Sequence, residues 1–335
     1  MRLALMLAPQ RNALYSDLVR SLAPPELLAS PLGPRIEAWD GVRLGGQDYL
    51  LVELDDEPAT ADFEVLARLG TVAAAHEYFA RIGEVPGPLL RPLELPWDPF
   101  LPPELVETRR YRGKTNEIFT AVLLNLALFA GDYRDRLGER LRVLDPLAGG
   151  GTTLFVALTR GYDAVGIELE QEDVTSTDTY VRQFLRGIGV PFGRTDERLR
   201  GAGRRYVFSI GRKGDQRTLA LVHGDTYRSP ELLRGLPGGA RFHAVVADLP
   251  YGIQHRGRVA ELFARAVPTW AGSLLPGGAL ALAWDATGLP RAEAIQLVRE
   301  RSPLDVLDDP PYSELAHRVD RVIKRRDVLV ARNPD

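Results

Sequence analysis

Short apolar runs and longer dense ones follow one another along the chain, and their spacing predicts its elements. Leu3–Leu7 reads as a strand, Arg11–Leu22 as a helix, and a proline-containing turn follows. A strand pair is expected around Ile36–Trp39 and Tyr49–Glu53, then a helical stretch at Ala61–Arg68 and a strand-like or helical piece near Thr71–Ile82. This mixture predicts a small α+β domain over residues 1–90. The run Val85–Pro103 holds seven prolines and reads as a linker, placed at 91–108. Residues 109–335 form the second predicted domain. It opens with Asn116–Ala130, whose dense apolar spacing without Gly or Pro suits a largely buried helix.

Beyond that helix, strands and helices alternate. Strands are expected near Leu141–Leu144, Ala164–Ile167, Ala244–Ala247 and Ala279–Trp284, with helices at Thr152–Thr159, Glu172–Leu185, Val259–Leu275 and Arg291–Arg301. A hairpin, Tyr206–Ile210 and Thr218–Val222, interrupts the series, and strands near Leu304–Leu307 and Asp327–Ala331 close it. Alternation of this kind gives an α/β fold: a mainly parallel sheet with helices on both faces.

Composition narrows the function. A length of 335 residues suits two domains, and 45% hydrophobic with 26% charged residues is ordinary for a globular protein. With no cysteine, disulfide frameworks, cysteine-based zinc sites and thiol catalysis are excluded, and no metal is expected. No apolar run approaches the ~18 residues that span a bilayer. The apolar start is short and is followed by Asn12, Tyr15 and Asp17, so it reads as a first strand of a cytoplasmic protein rather than a signal peptide. The net charge of −3 hides an asymmetry. Residues 1–90 carry 7 Arg against 13 acids, whereas 194–217 carry 8 basic residues against 3 acids and 316–332 carry 6 against 2. Two basic patches of this kind fit either solvated faces or phosphate contacts.

The chemistry concentrates at Val143–Glu168. A strand ends in Asp145, three glycines (Gly149, Gly150, Gly151) lead into Thr152 and a helix, and a second strand ends in Glu168. Glycines there let backbone approach a ligand closely, and an acid at the second strand's end is placed for ribose hydroxyls. The glycines lack the G-x-G-x-x-G spacing of dinucleotide sites, and no Lys precedes Thr152 as in a P-loop. Asp145 would repel a pyrophosphate but suits a cation, such as the ammonium or sulfonium of S-adenosylmethionine. The turn therefore favours a methyl donor.

The run Asp145–Thr153 resembles motif I of the amino-methyltransferases that act on nucleic acids, usually D-P-F-x-G-S/T-G-T. Asp248-Leu249-Pro250-Tyr251 resembles their catalytic motif (N/D/S)-P-P-(Y/F/W), and its extension through Ile253 is closest to the tRNA guanine-N2 methyltransferase group. Arg112–Glu117 resembles the methionine-side motif of the same families. The resemblance covers roughly residues 110–332. It implies a Rossmann-like seven-stranded sheet with an antiparallel last strand, and a SAM-dependent N-methyltransferase acting on nucleic acid, most closely tRNA. Its cofactor residues would be Lys114, Thr115, Asn116, Asp145, Ala148, Gly149, Gly151, Thr152, Glu168 on the ribose and Asp225 on the adenine, with a helix N-cap as the competing role for Asp225.

An exocyclic amine is a poor nucleophile because its lone pair is delocalised into the base. Acceptors for its N–H groups draw the nitrogen toward tetrahedral geometry and stabilise the developing charge. Asp248 would supply a side-chain acceptor, Leu249 its carbonyl, and Tyr251, after Pro250, a stacking surface for the flipped base. Leu249 stands where the family has proline, which adds an N–H and a looser backbone. Phosphate contacts are expected from Arg204, Arg205, Arg212 and Lys213 in the hairpin and from Arg318, Lys324 and Arg325 in the C-terminal patch. Three alternatives stay open: a DNA adenine-N6 or cytosine-N4 methyltransferase, a non-catalytic protein of the same fold, and small-molecule or protein (glutamine-N5) methylation.

Overall fold

The computed structural model describes residues 1–10, 13–111, 113–249, 258–319 and 325–334. Two sheets organise it. The first is antiparallel, in the order β2-β3-β1-β4-β5, from β1 (Arg2–Leu7), β2 (Ile36–Leu44), β3 (Gln47–Leu54), β4 (Val72–Ile82) and β5 (Val85–Leu93). Helix α1 (Ala13–Ala29) lies on β1 and β3, and α2 (Thr60–Leu66) precedes β4. The alternation along β1 explains its seat: Leu3, Leu5 and Leu7 are buried and pack with Leu18 and Leu22 of α1.

Two expectations change here. Helix α1 does not stop at Leu22 but runs through Pro24 and Pro25, because its last turns bury Leu27 and Glu26. The proline-rich run is not a linker from Val85: residues 85–93 are β5, paired antiparallel to β4. β5 is an edge strand, the one place in a sheet where missing N–H donors are tolerated. Irregular chain occupies residues 94–103, and the short helix α3 (Glu104–Glu107) follows.

Among the described residues, the second sheet comprises nine strands. These are β6 (Arg142–Asp145), β7 (Asp163–Glu168), β8 (Phe192–Leu199), β9 (Gly203–Ile210), β10 (Arg217–His223), β11 (Phe242–Asp248), β12 (Leu274–Asp285), β13 (Asp305–Leu307) and β14 (Arg326–Arg332). Their order is β13-β14-β12-β11-β6-β7-β10-β9-β8. Strands β10, β7, β6, β11 and β12 run parallel, β14 runs antiparallel to β12 and β13, and β8–β9 is an antiparallel hairpin appended beside β10. Without that hairpin this is a seven-stranded Rossmann-like sheet with an antiparallel last strand. Strand β8 escaped the sequence pattern because it is a charged edge with little buried surface. Helices α4 (Glu117–Ala130), α5 (Thr152–Thr159), α6 (Gln171–Gly187), α7 (Ser229–Leu232), α8 (Arg258–Ala271) and α9 (Arg291–Arg301) complete the layer. Among the described residues, no helix is long and apolar enough to cross a membrane.

The two sheets share one core. α4 packs against β11, β12 and β14 on one side and against α1 and α5 on the other, burying every residue from Phe119 to Phe129 except Ala121. At the seam, the fully buried Glu26 of α1 accepts hydrogen bonds from Gly70 N (2.9 Å), Thr71 N (3.0 Å), Thr71 Oγ1 (2.6 Å) and Asn125 Nδ2 of α4 (2.6 Å). Arg160, just after α5, donates to Asn125 Oδ1 and to the Arg68 carbonyl. Glu26→Ala strands four donors at once. It should cost roughly 3 kcal/mol or more in urea unfolding, since each hydrogen bond to a charged group contributes ~1.5–3 kcal/mol. Because the core is continuous, the chain should unfold in one transition. Two transitions, with residues 1–93 lost first, would show the sheets to be independent.

Candidate active site

The glycine turn is held by the last two residues of β7. Beyond Asp145, the Ala148 N–H donates to the Ile167 carbonyl (2.9 Å) and Gly149 N–H to Glu168 Oε2 (2.8 Å). Glu170 N–H takes the other Glu168 oxygen at 2.8 Å. Glu168 thus fixes the turn as well as ending its strand. Gly149 (φ 50°) and Gly151 (φ 92°) adopt left-handed backbone, which side chains resist. Gly150 is required by contact instead: a Cβ there would lie 2.5–2.6 Å from the Tyr111 ring. Gly166 lets β7 pass against α5, since a Cβ would meet Leu154 and Ala148 at 2.6–2.7 Å.

A cavity of about 510 Å³ opens where β6, β7 and β11 end. It is lined by Thr115, Asp145, Ala148, Gly149, Thr152, Glu168, Asp248 and Leu249, which the sequence singled out, and also by Tyr111, Gly113, Leu147, Thr153, Leu169 and Glu170. Gly151 caps α5 just behind the wall. Lys114 and Asn116 are placed elsewhere. Lys114 Nζ donates to the Val106 carbonyl (2.8 Å), and Asn116 caps α4, accepting from Ile118 N and Phe119 N. Asp225 caps the short turn after β10, accepting from Tyr227 N (2.9 Å), and does not line this cavity. It nonetheless lies two residues beyond His223, the strand neighbour of Glu168. Tyr111, whose hydroxyl meets Thr152 Oγ1, was missed because one aromatic in a loop has no periodicity to reveal it.

Asp248 ends β11 facing two polar or charged neighbours. Thr115 Oγ1 donates to its Oδ2 at 2.7 Å, and the Arg326 guanidinium lies 3.8 Å from the same oxygen. Its Oδ1 is buried and has no hydrogen-bond partner among the described residues. Leu249 is fully buried, and its N–H donates to the Ala283 carbonyl of β12 at 2.8 Å. The extra donor therefore stitches the loop to the sheet rather than loosening it. Leu249→Pro removes that bond and a packed side chain, so it should destabilise the fold by about 1–3 kcal/mol. Thermal melting of the variant checks this; an unchanged midpoint would leave Leu249 with its carbonyl alone. Pro250 and Tyr251 lie outside the described residues, as do Arg112 and Lys324.

The cavity wall is acidic. Asp145 is pushed up to about 7, first by burial, against hydrogen bonds from Thr153 and the Leu147 N–H, and further by the charges of Asp248 and Glu168. A wall that gathers three carboxylates, Asp145, Glu168 and Asp248, favours a cationic guest. Behind Asp248, Arg326 lies over the Phe119 ring (4.5 Å), and the buried His317 beside it is driven down to about 4 by burial. Among the described residues, no cluster of His, Cys, Asp or Glu is arranged to hold a metal.

The expected phosphate contacts divide. Arg205 is buried, tied to Glu197 (2.7 Å) and to the carbonyls of Leu232, Arg234 and Gly235, so it is a structural residue. Arg204 forks onto Asp196 at 2.6 and 2.7 Å. Arg212 and Lys213 are exposed in the β9–β10 turn, and Arg318 and Arg325 are exposed near the start of β14.

No protein-family model matches the chain, and no curated protein sequence does. Solved structures do. TrmN from Thermus thermophilus matches with 17% identity over 86% of this chain and 57% of that one, at a TM-score of 0.40. The T. thermophilus 16S rRNA N2 methyltransferase RsmC, in complex with AdoMet and guanosine, matches with 19% identity over 89% and 59%, at 0.37. Magnesium protoporphyrin IX methyltransferase ChlM from Synechocystis, with bound SAM, matches with 11% identity over 66% and 86%, at 0.39. The chain thus spans under three-fifths of the first two. With scores this low, what the cavity holds is decided by its own residues.

Proposed function

We propose that this chain is a SAM-dependent methyltransferase acting on an exocyclic amine of a nucleic-acid base, with guanine N2 in RNA, tRNA foremost, as the target. The observation that carries it is Asp248: a carboxylate lining the cavity, with one oxygen fixed by Thr115 and Arg326 and the other an acceptor without a donor among the described residues. The residues fit S-adenosylmethionine. Asp145, Glu168 and Asp248 offset a cation, the backbone at Gly149 approaches closely, and Glu168 retains lone pairs for ribose hydroxyls. Asp225 stands beyond the neighbouring strand, where an adenine acceptor is expected. When bound, the cofactor supplies a methyl group activated by a cationic sulfur.

The protein's part is then positioning and charge. Thr115 and Arg326 hold Oδ2, so Oδ1 is presented in a fixed direction to an amine N–H. That hydrogen bond returns electron density to the nitrogen as its positive charge develops, and Asp248 is placed to take the proton it sheds. The burial of Leu249 and the bond from its N–H to Ala283 hold in place the residue whose carbonyl is the second expected acceptor. The choice of guanine N2 is supported by the resemblance of residues 248–253 to the tRNA guanine-N2 group.

The test is mass spectrometry of nucleosides from RNA and DNA of a strain lacking the protein. Loss of an N-methylated guanosine from RNA is expected; loss of N6-methyladenine or N4-methylcytosine from DNA would move the same chemistry to the other polymer. Calorimetry should show binding of S-adenosylmethionine and its demethylated product, and binding of NAD instead would overturn the cofactor.

A further inference from the structure

The arginines of the hairpin and of the C-terminal segment are not equivalent, and strand register sorts them. On one flank, His223 of β10 lies beside Glu168 of β7 and opposite Arg204 of β9, so the Arg204 end of the hairpin is the cavity end. Arg198 of β8 pairs with Arg204, which brings the β8–β9 turn with Arg200 to the same end. Arg228, after Asp225, donates to the Gly201 carbonyl (2.6 Å) and anchors that turn. Ile210 pairs with Arg217 at the start of β10, so the turn carrying Arg212 and Lys213 lies at the opposite end of the sheet. β10 holds seven residues, which separates the two ends by about 20 Å.

On the other flank, β12 runs parallel to β11, with Asp248 beside Ala283, and antiparallel to β14, with Asp285 opposite Arg326. The start of β14 is therefore at the cavity end. Arg325 precedes it, and the His317–Arg326 bridge brings Arg318 there too. Internal pairing removes most of the other candidates. Arg194 is engaged by Asp178, Arg204 by Asp196, Arg205 by Glu197 and Arg217 by Asp215. Arg198, Arg200, Arg318 and Arg325 are exposed and make no ion pair or side-chain hydrogen bond among the described residues. Asp196, the acid on which the charge of Arg198 acts, is already taken by the Arg204 fork.

We propose that these four arginines form a split phosphate-binding rim, on which an RNA strand crosses the carboxyl ends of the sheet with its target base over the cavity. This rests on the nucleic-acid reading above and replaces the hairpin turn as the contact. Seven strand spacings separate β14 from β8, about 34 Å. At ~3.4 Å per stacked nucleotide, both flanks are engaged only by roughly ten nucleotides or more.

The experiment measures the salt dependence of binding to a 25-nucleotide single-stranded RNA of mixed sequence, with cofactor binding as the control for folding. Arg198→Ala/Arg200→Ala and Arg318→Ala/Arg325→Ala should each flatten the log–log slope by roughly 1.4, two contacts at ~0.7 each. Arg212→Ala/Lys213→Ala should leave it unchanged. A five-nucleotide RNA should feel at most one of the two rim pairs. If the wild type binds the RNA and neither rim pair changes its slope, or the turn pair alone does, the rim is wrong while the nucleic-acid reading stands. A wild type that binds cofactor but neither RNA removes the reading, and the rim with it. Equal slopes on DNA of the same length, with faster methylation of it, would assign the rim to DNA and overturn the choice of RNA.

Discussion

Asp248→Ala is expected to reduce turnover by about 10²–10³, the usual effect of losing one well-placed transition-state acceptor, while leaving affinity for the demethylated cofactor, which lacks the sulfonium charge, nearly unchanged. The separation follows from geometry. The glycine turn is held by Ile167 and Glu168 of β7, and none of those bonds involves β11. The variant therefore loses the Oδ1 acceptor and leaves Thr115 and Arg326 without the oxygen they hold, but keeps the turn. Asp248→Asn should fall between, since it retains an acceptor oxygen without the charge. Steady-state kinetics on the substrate found by nucleoside analysis, beside calorimetry of the demethylated cofactor, separates the two effects. Near-normal turnover in the alanine variant would remove the amine-activation mechanism and favour a protein that binds without catalysing.

Why this site could be read from sequence lies in parallel-sheet geometry. Asp145, Glu168 and Asp248 each end an apolar run, and crossover helices bring successive strand ends to one edge of the sheet. Residues more than a hundred positions apart thus met in one cavity without any knowledge of their contacts. Helices α5 and α9 matched their expected limits because each is bounded by strong signals: Gly151 before and Gly161 after α5, Pro290 before α9.

Other features depend on partners no local pattern reveals. β5 hides in a proline run because an edge strand need not donate on its outer side, and β8 hides because its charges face solvent or one another. Lys114 and Asn116 flank Thr115, which lines the cavity, yet Val106 and the first turn of α4 claim their side chains. Arg205 and Arg326 read as part of basic patches, but the fold buries both and points them at Glu197 and Asp248. Charge counting finds a patch; only register and pairing tell which of its members meets solvent.

Binding of S-adenosylmethionine should weaken about tenfold for each pH unit below 7 and level off above it, with uptake of the cofactor releasing a proton near neutrality. The cause is Asp145, held at about 7 mainly by burial and partly by the neighbouring carboxylates. A cation favours the ionised form, so below that pH the carboxyl must lose its proton before the cofactor is accommodated. The same group costs the empty protein stability. Its folded value lies above the ordinary 3.8, so stability is fully present below that value, declines as pH rises, and is lost once pH passes about 7. Three units correspond to at most about 4 kcal/mol. Asp145→Asn keeps an acceptor for the Leu147 N–H and removes the charge. It should therefore raise the unfolding free energy at about pH 8 by roughly 2–4 kcal/mol, while weakening cofactor binding and abolishing its pH dependence. Calorimetry in buffers of different ionisation enthalpy, from about pH 5.5 to 8.5 across the transition, measures the released proton directly. A flat affinity with no proton release, or a variant that gains no stability at high pH, would mean that Asp145 does not bear the cation's charge.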